Sequence, residues 1–141
     1  MISKLFFGIF AVFASCDRPH RGVMIVREAD HHVVSVLNCG DPKWAHPPVW
    51  EINVRKSPWV EEAAVQCTLR VSFKERGEDS DSLTQWRYNS QPKGYVLEHC
   101  AALEPDTTYE INVLARPGPV KGHFTVASNG DVTMIDGTCP K

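Results

Sequence analysis

The chain lacks the run of about 20 apolar residues that a permanent membrane-spanning helix needs; its one sustained apolar stretch, Leu5 to Ala14, is about half that length. It also has no Gly-x-Ser-x-Gly elbow, no glycine loop that could cradle a phosphate, no CxxC pair, and no two histidines at helical spacing around a glutamate. His31 and His32 are adjacent, and neighbours in a strand point to opposite faces, so they cannot share one ion. The acidic stretch Glu75 to Ser82 lacks the ligand spacing of a calcium loop and reads as a solvated hairpin end. These absences argue against an enzyme, a metal site and a cofactor. Lysine and arginine number 15 against 17 aspartate and glutamate, mixed along the chain with no basic tract, so nucleic acid is not an expected partner. No internal repeat appears.

What is present begins with Lys4, the apolar run, and small residues up to Cys16, the layout of a secretory signal over residues 1–15. The stretch Phe13, Ala14, Ser15, Cys16 resembles the lipobox of bacterial lipoproteins, with Phe13 where leucine is usual. That resemblance implies a diacylglycerol on Cys16 as the new first residue. Ordinary cleavage after Ala14 is the alternative, leaving Cys16 a thiol. The cysteine count separates the two: five is odd, and lipidation of Cys16 leaves four for two disulfides in an oxidising compartment. Several acyl chains on one residue give a stable anchor where a single chain does not. Asp17 follows directly and resembles the inner-membrane retention signal of enterobacterial lipoproteins. The expected location is therefore the bacterial envelope, tethered through residues 16–21 and facing the periplasm. As an alternative, Asp17 simply begins a polar tether.

Residues 22–141 suffice for one domain with a real core. Gly22 to Glu28 and His31 to Asn38 read as a hairpin, and Val49 to Arg55 as a strand with Trp50, Ile52 and Val54 inward. Ser57 and Pro58 can open a short helical turn to Ala63. Gln66 to Lys74 carries Cys67, Leu69, Val71 and Phe73 inward; Leu83 to Asn89 reads as an edge strand presenting Trp86 and Tyr88; and in Gly94 to Cys100, Tyr95, Leu97 and His99 share a face. In Leu103 to Ala115, a turn at Pro105 and Asp106 precedes the alternating Tyr109, Ile111, Val113 and Ala115. The spacing of Leu103, Pro105 and Tyr109 resembles the E-F corner of fibronectin type III and immunoglobulin-like sandwiches, in which a tyrosine hydroxyl reaches back to an upstream backbone group. Asp106 stands where that family usually has glycine. Ser128, Asn129 and Gly130 between alternating runs predict an added C-terminal hairpin. The expected fold is all-β, an antiparallel sandwich.

Strand directions order the cysteines. If the core strands alternate, Cys39 and Cys139 finish at one end of the sandwich, and Cys67 and Cys100 at the other. A disulfide needs its α-carbons within about 7 Å, whereas strands of this length separate the ends by roughly 17 to 20 Å, so the expected pairs are Cys39 with Cys139 and Cys67 with Cys100. Trp44, His46, Asp79 and Trp86 are the candidate partner-binding residues, in or near loops and of types common at interfaces or in charged loops. A lipid-anchored sandwich of this kind most simply binds a protein. Its plan resembles periplasmic lipoproteins proposed as type VI secretion immunity proteins, which implies a secreted toxic effector as partner. An accessory factor of an envelope assembly, and a small-ligand or glycan binder, are the alternatives.

Overall fold

The computed structural model describes residues 21–40, 49–58, 65–72, 83–115 and 118–139. Among the described residues the regular elements are all strands: β1 (Arg21–Glu28), β2 (His31–Asn38), β3 (Val49–Lys56), β4 (Val65–Val71), β5 (Gln85–Arg87), β6 (Tyr95–Glu98), β7 (Thr107–Ala115), β8 (Val120–Val126) and β9 (Val132–Asp136). They form two antiparallel sheets, β1-β2-β5 and β6-β4-β3-β7-β8-β9, an immunoglobulin/fibronectin type III-like sandwich with the β8-β9 hairpin at its C-terminal end.

Period-two alternation builds the core between the sheets. Tyr109, Ile111, Val113 and Ala115 on β7 are all at most 2% exposed, and Val23, Ile25, Val34 and Trp86 face them from the smaller sheet. Each fully buried side chain of this size contributes about 1.5 to 3 kcal/mol of transfer free energy. The opposite face of β7 is charged and belongs to the solvent side: Glu110, His123 and Asp136 lie in one register row across β7, β8 and β9. Arg70 on β4 reaches Glu51 on β3 at 3.1 Å in the same way.

Three expected details come out differently. A register shift between Val49 and Glu51 interrupts the alternation of β3, so Val49 is fully buried and Trp50 only half-buried. A bulge of this kind adds a residue without changing composition, so a count by twos misses it. At the other end of β3, the Ser57 N–H donates to the Thr108 carbonyl at 2.9 Å and prolongs the ladder; the remainder of the expected helical turn, from Trp59, lies outside the described residues. His99 likewise falls beyond β6, with φ +46°.

The pairing sets two ends. β1 begins, and β2 and β9 finish, at an upper end where Cys39 meets Cys139. The turns after β1 and β8, the end of β5 and the start of β7 make the lower end. Both β5 and β6 run downward, each antiparallel to a rising strand, and residues 88–94 climb back between them. That climb adds one more traverse than the count of core strands contains, but it accompanies one more strand, and the parity of every later cysteine survives.

Candidate functional site

Cys39 pairs with Cys139 (Cα–Cα 5.2 Å) and Cys67 with Cys100 (3.9 Å), the combination that the strand directions require. The corner is also built as the resemblance implies: the Glu104 N–H donates to Tyr109 Oη at 2.7 Å, Leu103 packs on the core, and Pro105 is exposed in the turn. Asp106 adopts φ +54°, a left-handed conformation that glycine takes without strain and that aspartate tolerates better than most residues. Tyr109 itself is fully buried and stacks on Phe124 at 5.4 Å.

Of the four expected binding residues, Trp86 alone lies among the described residues. Trp86 is 1% exposed: its ring sits in the core 5.5 Å from that of Tyr88, and its Nε1–H donates to the Ser90 carbonyl at 2.9 Å. An edge strand exposes its backbone edge, not its inner face, and Trp86 points to the inner face. It is a core residue, and its place as a partner-binding candidate is withdrawn. Trp44, His46 and Asp79, together with Cys16 and Asp17, lie outside the described residues.

Open strand edges are the other expected route to a partner, and the chain covers two of them itself. Along β6, the Tyr95 N–H donates to the Pro92 carbonyl at 3.1 Å and the Leu97 N–H to Gln91 Oε1 at 3.3 Å. Along β1, the Val23 N–H donates to the Gly137 carbonyl at 2.8 Å and the Ile25 N–H approaches Met134 Sδ at 3.5 Å. Backbone groups engaged in this way are not available to template an incoming strand.

The lower end instead carries a cleft of about 440 Å³ that sequence reasoning did not single out. Its wall is Asp30 and His31 from the β1-β2 turn, Arg87 and Tyr88 from the end of β5, and Leu103 from the approach to the corner. These residues meet because His31 starts a rising strand and Arg87 ends a falling one. Left-handed Ala29 (φ +53°) and Asn89 (φ +65°) make the two tight reversals. His31 Nδ1 lies 3.3 Å from Asp30 Oδ1, and that hydrogen bond holds the Asp30 carboxyl below the ordinary aspartate range. His31 Nε2 lies 3.9 Å from Glu28. Tyr88 Oη donates to the Ala101 carbonyl at 2.6 Å, and burial raises its pKa, so the phenol remains a donor. His32 Nε2 donates to the Gly130 carbonyl at 3.2 Å and ties the cleft to the β8-β9 turn. Among the described residues, no carboxylate lies within 4 Å of the Arg87 guanidinium. No His, Cys, Asp and Glu cluster among them has the makings of a metal site.

The class of protein that fold and cleft define is a disulfide-tied β-sandwich with a polar-rimmed recess at one end. In comparison with family models, curated proteins and solved structures, the chain matches none.

Proposed function

We propose that the chain is a lipid-anchored protein-binding domain of the bacterial envelope, held through Cys16 and facing the periplasm, whose partner is a secreted toxic effector that it sequesters. The observation that carries the reading is the cysteine accounting: four of the five cysteines pair with one another, so the odd one is Cys16, at the position of the lipobox. The self-covered edges of β1 and β6 add weight to recognition by the ends of the sandwich, where immunoglobulin-like domains commonly present variable loops.

Intact mass of the membrane fraction tests the anchor. The expected species is a chain beginning at Cys16 with acyl mass added, and Cys16→Ser should abolish it. A soluble mature chain starting at Ser15 without lipid would sink the reading. Co-expression with a toxic effector encoded beside the gene tests the partner: the cell should survive with the wild-type chain and die when the anchored chain is removed.

A further inference from the structure

The cleft lies at the end of the sandwich that a Cys16 anchor leaves free. The polypeptide enters β1 at Arg21, at the upper end, where Arg21 pairs with Asn38 beside Cys39. Five steps of chain connect Cys16 to Arg21, a reach of at most about 18 Å when fully extended. The eight residues of β1 span roughly 23 Å before the turn at Ala29 and Asp30 is reached. A tether of that length is shorter than β1, so the domain can tilt on its anchor but cannot stand inverted on the membrane, lower end foremost. The upper end, where Cys39 and Cys139 lie, is held near the bilayer.

The chemistry of the cleft then says what it takes. Its carboxylate, Asp30, accepts from His31 and is also drawn by the Arg87 charge from beyond ion-pair distance, and the neighbouring Glu28 approaches the same ring. Arg87 is exposed at the rim, its guanidinium without a carboxylate within 4 Å among the described residues. The spare capacity is therefore that of a donor fork, which matches a carboxylate in two parallel hydrogen bonds. Beneath it, Tyr88 and half-buried Leu103 give an apolar floor. A volume of about 440 Å³ is within the usual range of ligand recesses, with room for one or two side chains and not for a strand.

We infer that this membrane-distal cleft is the partner-binding site, and that it receives an acidic side chain, flanked by an apolar one, from a loop of a protein partner, with Arg87 as the carboxylate-binding residue. This rests on the lipid-anchor reading for its orientation but not for its chemistry, and one experiment separates the two. The mature lipidated chain is placed in lipid nanodiscs containing a headgroup-chelated gadolinium lipid, and amide signals are followed while acetyl-Phe-Glu-Gly-amide is added. Amides near Arg21, Cys39 and Cys139 should broaden, and those of Asp30, Tyr88 and Asn89 should be spared. The peptide should shift Tyr88, Asn89 and Leu103 with weak affinity, on the order of millimolar for a contact this small. The glutamine analogue should bind at least tenfold more weakly, Arg87→Gln should remove the difference, and Arg87→Glu should transfer the preference to the lysine analogue. Equal binding of the glutamate and glutamine peptides, or shifts confined to the upper end, would overturn the site. Broadening of the cleft amides would overturn its orientation. Absence of broadening everywhere would defeat the anchor and the orientation, while an Arg87-dependent shift would still support the cleft.

Discussion

The two sides on which the sheets of this sandwich meet are closed by different means. Where β1 meets β9, the contacts join residues far apart in the chain: the Ile25 to Met134 contact spans 109 positions and the Cys39–Cys139 bond spans 100. Gly22 and Gly137 approach so closely there that a Cβ on Gly137 would stand 2.4 Å from the Gly22 Cα, and Gly137 is also at φ +94°. Where β5 passes to β6, closure is local: Trp86 bonds Ser90, Tyr88 bonds Ala101, and Gln91 bonds Leu97, each within 13 positions. The Cys67–Cys100 bond on that side spans 33. A long-range seam restrains much of the unfolded chain, whereas a local one mainly shapes a loop.

Removing each disulfide should show the difference. In the chain-entropy model the Cys39→Ala, Cys139→Ala pair costs about 4.7 kcal/mol and the Cys67→Ala, Cys100→Ala pair about 3.8 kcal/mol, both upper figures because denatured chains retain structure. Urea unfolding of the two double variants is the measurement. The first should unfold at the lower midpoint; an inverted order would mean that the complete burial of Cys67, and not loop closure, governs the cost.

Single hydrogen bonds refine the comparison at a smaller scale. Tyr88→Phe removes the partner of the Ala101 carbonyl while keeping the buried ring, and should cost about 1 to 2 kcal/mol. Arg27→Ala on the opposite side removes a bond to the Asn129 carbonyl at 2.6 Å and an ion pair with Asp131 at 3.3 Å. Those groups are exposed, so the expected cost is below about 1 kcal/mol. Thermal unfolding of both variants ranks them, and an Arg27 variant less stable than the Tyr88 variant would show that the β1-β9 seam depends on its lower clasp.

The same contrast explains what was legible in the sequence. The β8-β9 hairpin follows from Asn129-Gly130 between alternating runs, and β7 from its strict period and its corner tyrosine; these are local signals. Disulfide pairing was legible despite its range because strand direction is a parity, and parity survives an error that comes in twos. The Gly22–Gly137 approach leaves no local trace, since a glycine reads alike in a turn and at a close contact. For Trp86 the sequence leaves core and surface equally open, since an edge strand has an inner and an outer face, and only its packing beside Tyr88 decides. The cleft was missed for another reason: Asp30, His31 and Arg87 are ordinary polar residues at strand ends, and only their convergence makes them a recess.

The smallest expected effect concerns the charged row that crosses the strands leading into the β1-β9 seam. Glu110 accepts from Asn112 Nδ2 at 2.8 Å and lies 3.7 Å from Lys121 and 3.3 Å from His123, which in turn contacts Asp136 at 2.8 Å. The Asn112 hydrogen bond is the largest influence holding the Glu110 carboxyl below its ordinary pKa of 4.5, with Lys121 and His123 adding to it and burial opposing. The folded state therefore binds this proton less readily than the unfolded chain. Stability from Glu110 is fully present above the ordinary carboxylate value and declines as pH falls through it toward the lower folded value. Glu110→Gln should lower the unfolding temperature modestly at pH 7, and the gap between variant and wild type should narrow between pH 5 and pH 3. A gap that stays constant with pH would show that Glu110 acts by packing alone.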